Sequence, residues 1–131
     1  MKRSRLNKYS KSDIPKLKRK VWQVFSLFIR KRDSGICFTC GRQGDLGAMN
    51  AGHFIPRSGH NLTFFDEINV NCQCVNCNLW KHGNLHEYSA RLIKKYGLEE
   101  FNKLVERGRQ IHQFSVQELE TLYEKYKNGN N

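Results

Sequence analysis

Four cysteines form two pairs whose spacing is typical of a metal site. The pairs are Cys37-x2-Cys40 and Cys74-x2-Cys77, with 33 residues between them. Each pair closes a tight turn and offers two thiolates, so the two together can complete one tetrahedral zinc site with Zn–S distances of about 2.3 Å. Disulfides are the alternative, but we find no secretory signal, and stable disulfides belong to oxidising compartments. The spacing therefore predicts one structural Zn²⁺ and folding that depends on it.

A second set of polar residues lies between and directly after the cysteine pairs. His53 follows Ala51-Gly52, Asn69 precedes Cys74 by five residues, and Asn78 directly follows Cys77. This arrangement resembles the HNH or ββα-metal nucleases, in which a histidine ends a strand, an asparagine lies in the following loop, and a histidine or asparagine begins a helix. In their zinc-stapled members this last residue follows the second CxxC pair, as Asn78 does here.

Scattered further matches resemble the phage NinG/Rap family of recombination nucleases, and the resemblance covers about residues 33–97. The matching residues are Ala51-Gly52-His53, His60, Gln73-Cys74, Cys77-Asn78, Gly83-Asn84 and Tyr88. The resemblance implies a metal-dependent DNA endonuclease that hydrolyses phosphodiester bonds, with branched or recombination-intermediate DNA as its substrate.

The same resemblance implies a role for each candidate site residue. His53 would be the general base, because an imidazole with an ordinary pKa near 6.5 is neutral at working pH and can take a proton from water. Asn78 would bind a catalytic divalent ion, Mg²⁺ or a similar cation, through its carbonyl oxygen. Asn69 would hold the loop that carries His53 by hydrogen bonds, and Arg57 would bind a phosphate.

Gly52 departs from this pattern, because many HNH nucleases carry an aspartate there as a second metal ligand. The substitutes, in order, are His82, His60, and the acids Asp66 and Glu67. His82 comes first because it lies four residues after Asn78 and would share a helix face with it. If no residue substitutes, the alternative function is a non-catalytic zinc module that binds DNA or a replication or recombination partner.

The positive charge is concentrated at one end of the chain. The 131 residues hold 23 Lys and Arg against 12 Asp and Glu, and the whole excess of +11 falls within residues 1–32. Cations placed together can neutralise phosphates and release their counterions, which predicts DNA as the partner. The expected DNA-binding residues are Lys16, Lys18, Arg19, Lys20, Arg30, Lys31, Arg32 and Arg57.

The residue pattern predicts an α+β fold, with a zinc-stapled treble-clef core of the ββα-metal type between helical segments. The expected segments are a basic flexible arm over 1–12, a basic helix over 13–34, the HNH nuclease core over 35–97 and a C-terminal helical extension over 98–131. Ser12 or Asp13 would cap the first helix, with Pro15 in its first turn.

Shorter elements are expected within these segments. Short β-type pieces are predicted at 36–38, 52–55 and 62–65. Helices are predicted after the second cysteine pair, along the apolar stripe that ends at Gly97, over 101–105, and after the capping box of Ser115 with Glu118.

Composition excludes several classes of protein. No apolar run approaches the roughly 20 residues of a membrane span, so we expect no membrane partner and a cytoplasmic location, the host cytoplasm if a phage encodes the chain. A CxxC redox protein is a weak alternative, because four cysteines at this spacing favour zinc. Cys72 lies too close to Cys74 for the usual pair, and we expect a buried thiol there. The sequence does not fix the assembly, for which a dimer is one option.

Overall fold

The computed structural model describes residues 9–58 and 61–131. The chain divides into two compact units, one of residues 29–112 and the other of residues 1–28 together with 113–131. The helices and strands are α1 (Ile14–Arg32), β1 (Asn50–His53), β2 (Val70–Gln73), α2 (Leu85–Tyr96), α3 (Leu98–Gly108) and α4 (Val116–Gly129). This mixture of helices with a small antiparallel sheet confirms the α+β class. No helix in the described ranges is long and apolar enough to cross a membrane.

The unit that contains both chain ends is built from α4 and the part of α1 that precedes Ile29. Val21 and Phe25 recur at helical spacing and are fully buried, as is Leu119 of α4. The rings of Phe25 and Tyr126 meet edge to face with centroids 4.7 Å apart. Such apolar faces account for most of the stability of helices of this length.

The start of α4 confirms the predicted capping box. The Ser115 hydroxyl accepts a hydrogen bond from the Glu118 backbone N–H at 3.1 Å, and the Glu118 carboxylate accepts one from the Ser115 N–H at 3.0 Å. The start of α1 differs from expectation. A short 3-10 turn, Lys11–Asp13, precedes this helix, and Ser10 donates its N–H to the Asp13 carboxylate at 2.9 Å. Ser10, and neither Ser12 nor Asp13, is therefore the capping residue. Residues 1–8 of the predicted arm lie outside the described part.

The unit of residues 29–112 contains the sheet. Strands β1 and β2 are antiparallel, with Asn50 opposite Gln73 and Gly52 opposite Asn71. Paired residues on antiparallel strands point to the same face, so the Gln73 side chain shares a face with Gly52. All four residues of β2 are buried.

Helices α2 and α3 cover a second core in this unit. Tyr88 and Leu92 of α2 and Leu104 of α3 are fully buried together, with Phe54 and Phe101 packed against them. Gly97, with a φ of +90°, separates the two helices and confirms the predicted end of α2. Helix α3 is longer than the predicted 101–105.

The predicted β pieces are largely wrong. Residues 36–38 form no strand, only a single bridge from Ile36 to Gln43. The second strand is shifted to Asn50–His53, because both backbone groups of Ile55 bond to the Asn69 side chain and not to a neighbouring strand. Residues 62–65 lie in turns, where the Thr63 carbonyl accepts from the Asn69 side chain and the Leu62 N–H donates to the Gln110 carbonyl.

The helix predicted after the second cysteine pair is also shorter than expected. It is a five-residue π-helical turn, Asn76–Trp80. The chain then turns sharply, because His82 and Gly83 adopt φ values of +50° and +90°. Asn78 therefore lies on a single tight turn and not on a regular helix.

Candidate metal and catalytic site

The four cysteines of the two CxxC pairs converge on one point. The Sγ atoms of Cys37, Cys40, Cys74 and Cys77 all lie within 4.8 Å of one another, and no other such group of His, Cys, Asp and Glu occurs in the described ranges. The Sγ atoms of Cys40 and Cys74 are 3.7 Å apart, close to the separation of about 3.8 Å between thiolates on a tetrahedral zinc ion. The four cysteines are thus positioned to bind one metal ion, and an all-thiolate set suits zinc.

Burial and hydrogen bonds act in opposite directions on the thiols of the first pair, and burial raises the pKa of Cys40 to about 12. Burial disfavours the charge on Cys37, but hydrogen bonds from Thr39 and from backbone amides outweigh it and lower the pKa of this thiol to about 6. Asn84 donates its side-chain N–H to Cys77 Sγ at 3.6 Å, a distance that sulfur acceptors allow. Cys72 lies outside the group and is fully buried, and burial raises its pKa to about 12. The prediction of a buried thiol at Cys72 is confirmed.

His53 is the last residue of β1, and its ring has a fixed orientation. Its Nε2 lies 2.9 Å from the Phe64 carbonyl oxygen. A carbonyl can only accept, so Nε2 carries the proton and Nδ1 is the basic nitrogen of the neutral ring. Burial, aided by the nearby positive charge of Arg57, lowers the pKa of His53 to about 4 despite the opposing effect of the Phe64 contact. The imidazole is therefore neutral at physiological pH.

Asn69 is fully buried, and its side chain bonds the backbone of two segments next to His53. Its Oδ1 accepts the Ile55 N–H at 2.7 Å, and its Nδ2 donates to the carbonyls of Ile55 and Thr63, each at 3.1 Å. These bonds join the segment that follows His53 to the loop whose Phe64 carbonyl contacts the imidazole. Asn69 thus connects the two segments that set the ring's orientation.

Asn78 lies beside the residue that precedes His53. A Cβ atom built on Gly52 would lie 2.9 Å from Asn78 Oδ1. The π-helical turn Asn76–Trp80, which also contains Cys77, brings Asn78 to this point. An amide carbonyl oxygen is one of the ligands that Mg²⁺ and Ca²⁺ accept.

Gln73 lies at the same place on the sheet, although in the sequence it is notable only as one of the residues that carry the family resemblance. It is fully buried, and its amide fills the space where a Cβ of Gly52 would be. The signal was present in the sequence, because a glycine in a strand often marks a close approach by another group.

A buried polar network also holds β1, and residue spacing alone does not predict it. The Tyr88 hydroxyl donates to the Gly52 carbonyl at 2.7 Å and accepts from Asn71 Nδ2 at 3.0 Å. Asn71 Oδ1 in turn accepts from Arg32 at 2.9 Å, and Arg32 pairs with Asp33 at 2.8 Å. Helical periodicity predicts only the burial of Tyr88 and does not show which partners its hydroxyl has.

The residues that could replace the absent aspartate as a metal ligand differ in exposure and in hydrogen bonding. His82 is exposed in the sharp turn after Trp80, so the shared helix face that suggested it does not exist. His60 lies outside the described residues. Asp66 is already engaged, because its carboxylate accepts the Ile68 and Asn69 N–H groups and pairs with Arg107 at 2.8 Å.

The predicted DNA-binding cations differ in how far their side chains are exposed to solvent. Lys16, Arg19, Lys31 and Arg57 are exposed. Lys18 and Lys20 are partly buried, with their ammonium groups over the Phe114 and Tyr123 rings. The Arg32 guanidinium already bonds Asp33, Asn71 and two backbone carbonyls. Arg30 likewise donates to the Leu46 carbonyl.

A second cationic surface lies on α2, where the summed charge of residues 33–131 had suggested none. Arg91, Lys94 and Lys95 line a shallow depression of about 640 Å³ next to Cys37 and Phe38. Asp33 also lines the depression but pairs with Arg32, and Glu87 pairs with Arg91. A net charge is a sum over the chain, so it does not show where the positive and negative side chains cluster.

Comparison with known proteins identifies the family. A family model described as NinG, Bacteriophage Lambda NinG protein, matches residues 2–130. Curated relatives named Protein ninG include that of Escherichia phage 933W, 34% identical over 105 residues, and that of Escherichia phage lambda, 31% identical over 105 residues. These matches cover 79% of this chain and 51% and 50% of the two relatives, so the chain spans about half their length. No solved structure matches it. The chain belongs to the NinG family of bacteriophage proteins.

Proposed function

We propose that this protein is an HNH-type endonuclease that hydrolyses DNA phosphodiester bonds with the help of a divalent cation. The observation that carries the proposal is the convergence of three elements on the end of β1. His53 ends that strand, Asn69 joins the two segments around it, and Asn78 lies beside Gly52. A neutral imidazole next to an oxygen ligand for a cation is the minimum set for attack by water on phosphorus.

The strand, the loop and the zinc-bound turn each contribute one function to the proposed reaction. A water oxygen forms a bond to phosphorus while His53 Nδ1 takes a proton from that water. The bond between phosphorus and the 3′ oxygen breaks, and this oxygen leaves with the electron pair and gains a proton from solvent. Asn69 keeps the imidazole aimed, and the exposed guanidinium of Arg57 binds a phosphate oxygen.

The cation belongs beside Asn78 Oδ1 in this proposal. Bound there, a Mg²⁺ ion would neutralise charge that develops on the phosphate and on the leaving oxygen. Asn78 would hold it through a neutral oxygen. The Cys77 thiolate next to it in sequence would keep the turn in place through the zinc ion.

Zinc is the metal that we assign to the four cysteines. The second cysteine pair directly precedes the turn that carries Asn78, so loss of the metal would remove both the scaffold and the cation ligand. Each function of the site thereby depends on the zinc-bound fold.

DNA is the proposed substrate because several features of the chain suit a polyanion. Arg57 is exposed near His53, Lys16 and Arg19 are exposed on α1, and Lys94 and Lys95 lie on α2. Trp80, on the turn that carries Asn78, is 77% exposed and offers a face for stacking on a base. Membership of the NinG family favours branched recombination intermediates over other DNA structures.

Cleavage by a His53 variant tests the proposal. We expect the zinc-loaded wild-type chain to cut supercoiled, linear or four-way-junction DNA with Mg²⁺, and not without added divalent ion. His53→Ala should lose about 10²–10⁴-fold in rate, because no proton acceptor then faces the water. Binding of the same DNA should hardly change, because the neutral imidazole contributes no charge to it.

His86→Ala is the matched control, since His86 is exposed on α2, and it should cut at the wild-type rate. Cutting by His53→Ala at that rate would exclude this histidine as the base. If wild type binds all three DNAs and cuts none, the chain is the alternative, a non-catalytic zinc module. The glycine at position 52, where many HNH nucleases carry a metal-binding aspartate, is the observation that favours this alternative.

A further inference from the structure

The NH₂ group of the Gln73 side chain is hydrogen-bonded, whereas its carbonyl oxygen Oε1 has no hydrogen-bond partner among the described residues. Its Nε2 donates to the Gly83 carbonyl at 2.9 Å and contacts the Thr39 hydroxyl at 3.1 Å. The Gly83 carbonyl can only accept, so the NH₂ group must face it, and this fixes which end of the amide is oxygen. Oε1 therefore points the opposite way, towards Gly52.

Oε1 has no hydrogen-bond partner within the described part of the chain, although Gln73 has no solvent exposure. A buried carbonyl oxygen that lacks a partner costs roughly 1–3 kcal/mol, and native proteins seldom leave one in that state. Its position at the end of β2 thus indicates a ligand that supplies positive charge or a proton.

A second side-chain oxygen, Asn78 Oδ1, lies near Gln73 Oε1. A Cβ on Gly52 would overlap Gln73 Oε1 and would lie 2.9 Å from Asn78 Oδ1. Both oxygens therefore lie close to the Cβ position of Gly52, and they are no more than about 5 Å apart. Two oxygen ligands on one Mg²⁺, each at about 2.1 Å, are about 3 to 4 Å apart, so a small side-chain adjustment would let both reach one ion.

We infer that Gln73 Oε1 is the second protein ligand of the divalent cation, in the place left by the absent side chain of Gly52. This inference rests on the proposed function, because it concerns the cation of that site. Glycine at 52 and glutamine at 73 are then one feature, since any larger residue at 52 would displace the amide. Two neutral amide oxygens bind a cation more weakly than a carboxylate does, so the site takes a hard cation at high free concentration and leaves its other positions to water and phosphate.

Metal binding without DNA tests the inference. Mn²⁺ is added to the zinc-loaded, ¹⁵N-labelled full chain, and paramagnetic broadening of the amide signals is followed. In wild type the signals of Gly52 and Asn78 should broaden early in the titration. In Gln73→Met the Mn²⁺ concentration needed should rise about tenfold or more, because even residues that only support a ligand cost 10–100-fold in metal affinity. Gln43→Met, the same change at an exposed glutamine, should leave the titration unchanged.

A second variant covers the case in which Gln73→Met fails to fold or to retain zinc. Gly52→Ala keeps every atom of Gln73, but its Cβ would force Oε1 aside, and this should weaken Mn²⁺ binding in the same way. Zinc content and a melting curve qualify each variant. Wild type without broadening at Gly52 and Asn78, or folded variants that titrate like wild type, would overturn the assignment.

DNA cleavage separates the two proposals. If wild type cuts DNA but Mn²⁺ binding does not depend on Gln73, the ligand assignment is wrong and the nuclease proposal stands. If Mn²⁺ binding depends on Gln73 but wild type never cuts, the cation site stands and the nuclease proposal is wrong.

Discussion

At the scale of single residues, the site depends on polar groups that are buried and held by the backbone. Nε2 of His53 contacts a backbone carbonyl, and the Asn69 amide bonds the main chain at Ile55 and Thr63. The sequence could identify His53, Asn69 and Asn78, because residue type and spacing carry the HNH resemblance. The glycine at 52 indicated that another group comes close to β1, but only the strand register shows that this group is Gln73.

The burial of His53 predicts a dependence of stability on pH. Its pKa is about 4 in the folded chain and 6.5 ordinarily, so between these values the unfolded chain binds the proton and the folded chain does not. The stabilisation is complete above 6.5 and is lost as the pH falls towards 4. Wild type should lose up to about 1.4 kcal/mol of unfolding free energy by about pH 5.5, relative to its value at neutral pH.

His53→Gln provides the reference for this measurement, since glutamine does not titrate and the cysteines remain in both proteins. Urea unfolding at a series of pH values should show the difference in unfolding free energy between wild type and variant shrinking as the pH falls. A difference that stays constant from neutral pH to about pH 5 would mean that the pKa of His53 is not lowered.

At the scale of elements, the helices were predictable and the strands were not. The apolar stripe of α2, its terminal Gly97 and the capping box of α4 are local signals, and each is found in the structure. The strands are four residues long, too short for their alternation to be distinctive. Their boundaries depend on side chains such as Asn69, which is bonded to Ile55 from 14 residues away in the sequence.

The contact between α2 and β1 makes Tyr88 a positioning residue. Tyr88→Phe removes the hydroxyl that binds the Gly52 carbonyl and Asn71, and leaves these buried groups with one partner fewer. We expect a loss of about 1–3 kcal/mol in unfolding free energy with zinc retained. Since the Gly52 carbonyl immediately precedes His53, kcat should fall while KM for DNA hardly changes.

Tyr96→Phe is the matched control on the same helix, and its cost should stay within about 0.5 kcal/mol, because Tyr96 is only partly buried. Denaturant unfolding and cleavage kinetics of the two variants provide the comparison. If both variants behave alike, the hydroxyl of Tyr88 does not hold the strand.

At the scale of the whole molecule, the cysteines of the two CxxC pairs take the place of a hydrophobic core. The buried cluster around them contains Cys37, Cys74 and Cys77 together with Cys72 and a single large apolar residue, Met49. The remaining apolar core of residues 29–112 lies under α2 and α3, around Tyr88, Leu92 and Leu104. Composition indicates this division, because residues 36–80 are rich in Cys, Gly, Asn and His and poor in helix formers.

Removal of the metal should therefore unfold the part of the molecule that carries the proposed catalytic residues. Cys77→Ala deletes one thiolate of the four, and we expect loss of the bound zinc, of cooperative melting and of the turn that holds Asn78. Cys72→Ala deletes a sulfur atom of equal size that lies outside the site and is kept neutral by burial. It should retain about one zinc per chain and pay only for a small cavity, about 1–2 kcal/mol. Zinc content by atomic absorption and thermal melting of both variants distinguish the outcomes. A Cys77→Ala protein that melts like Cys72→Ala would show that these cysteines stabilise the fold without a metal ion.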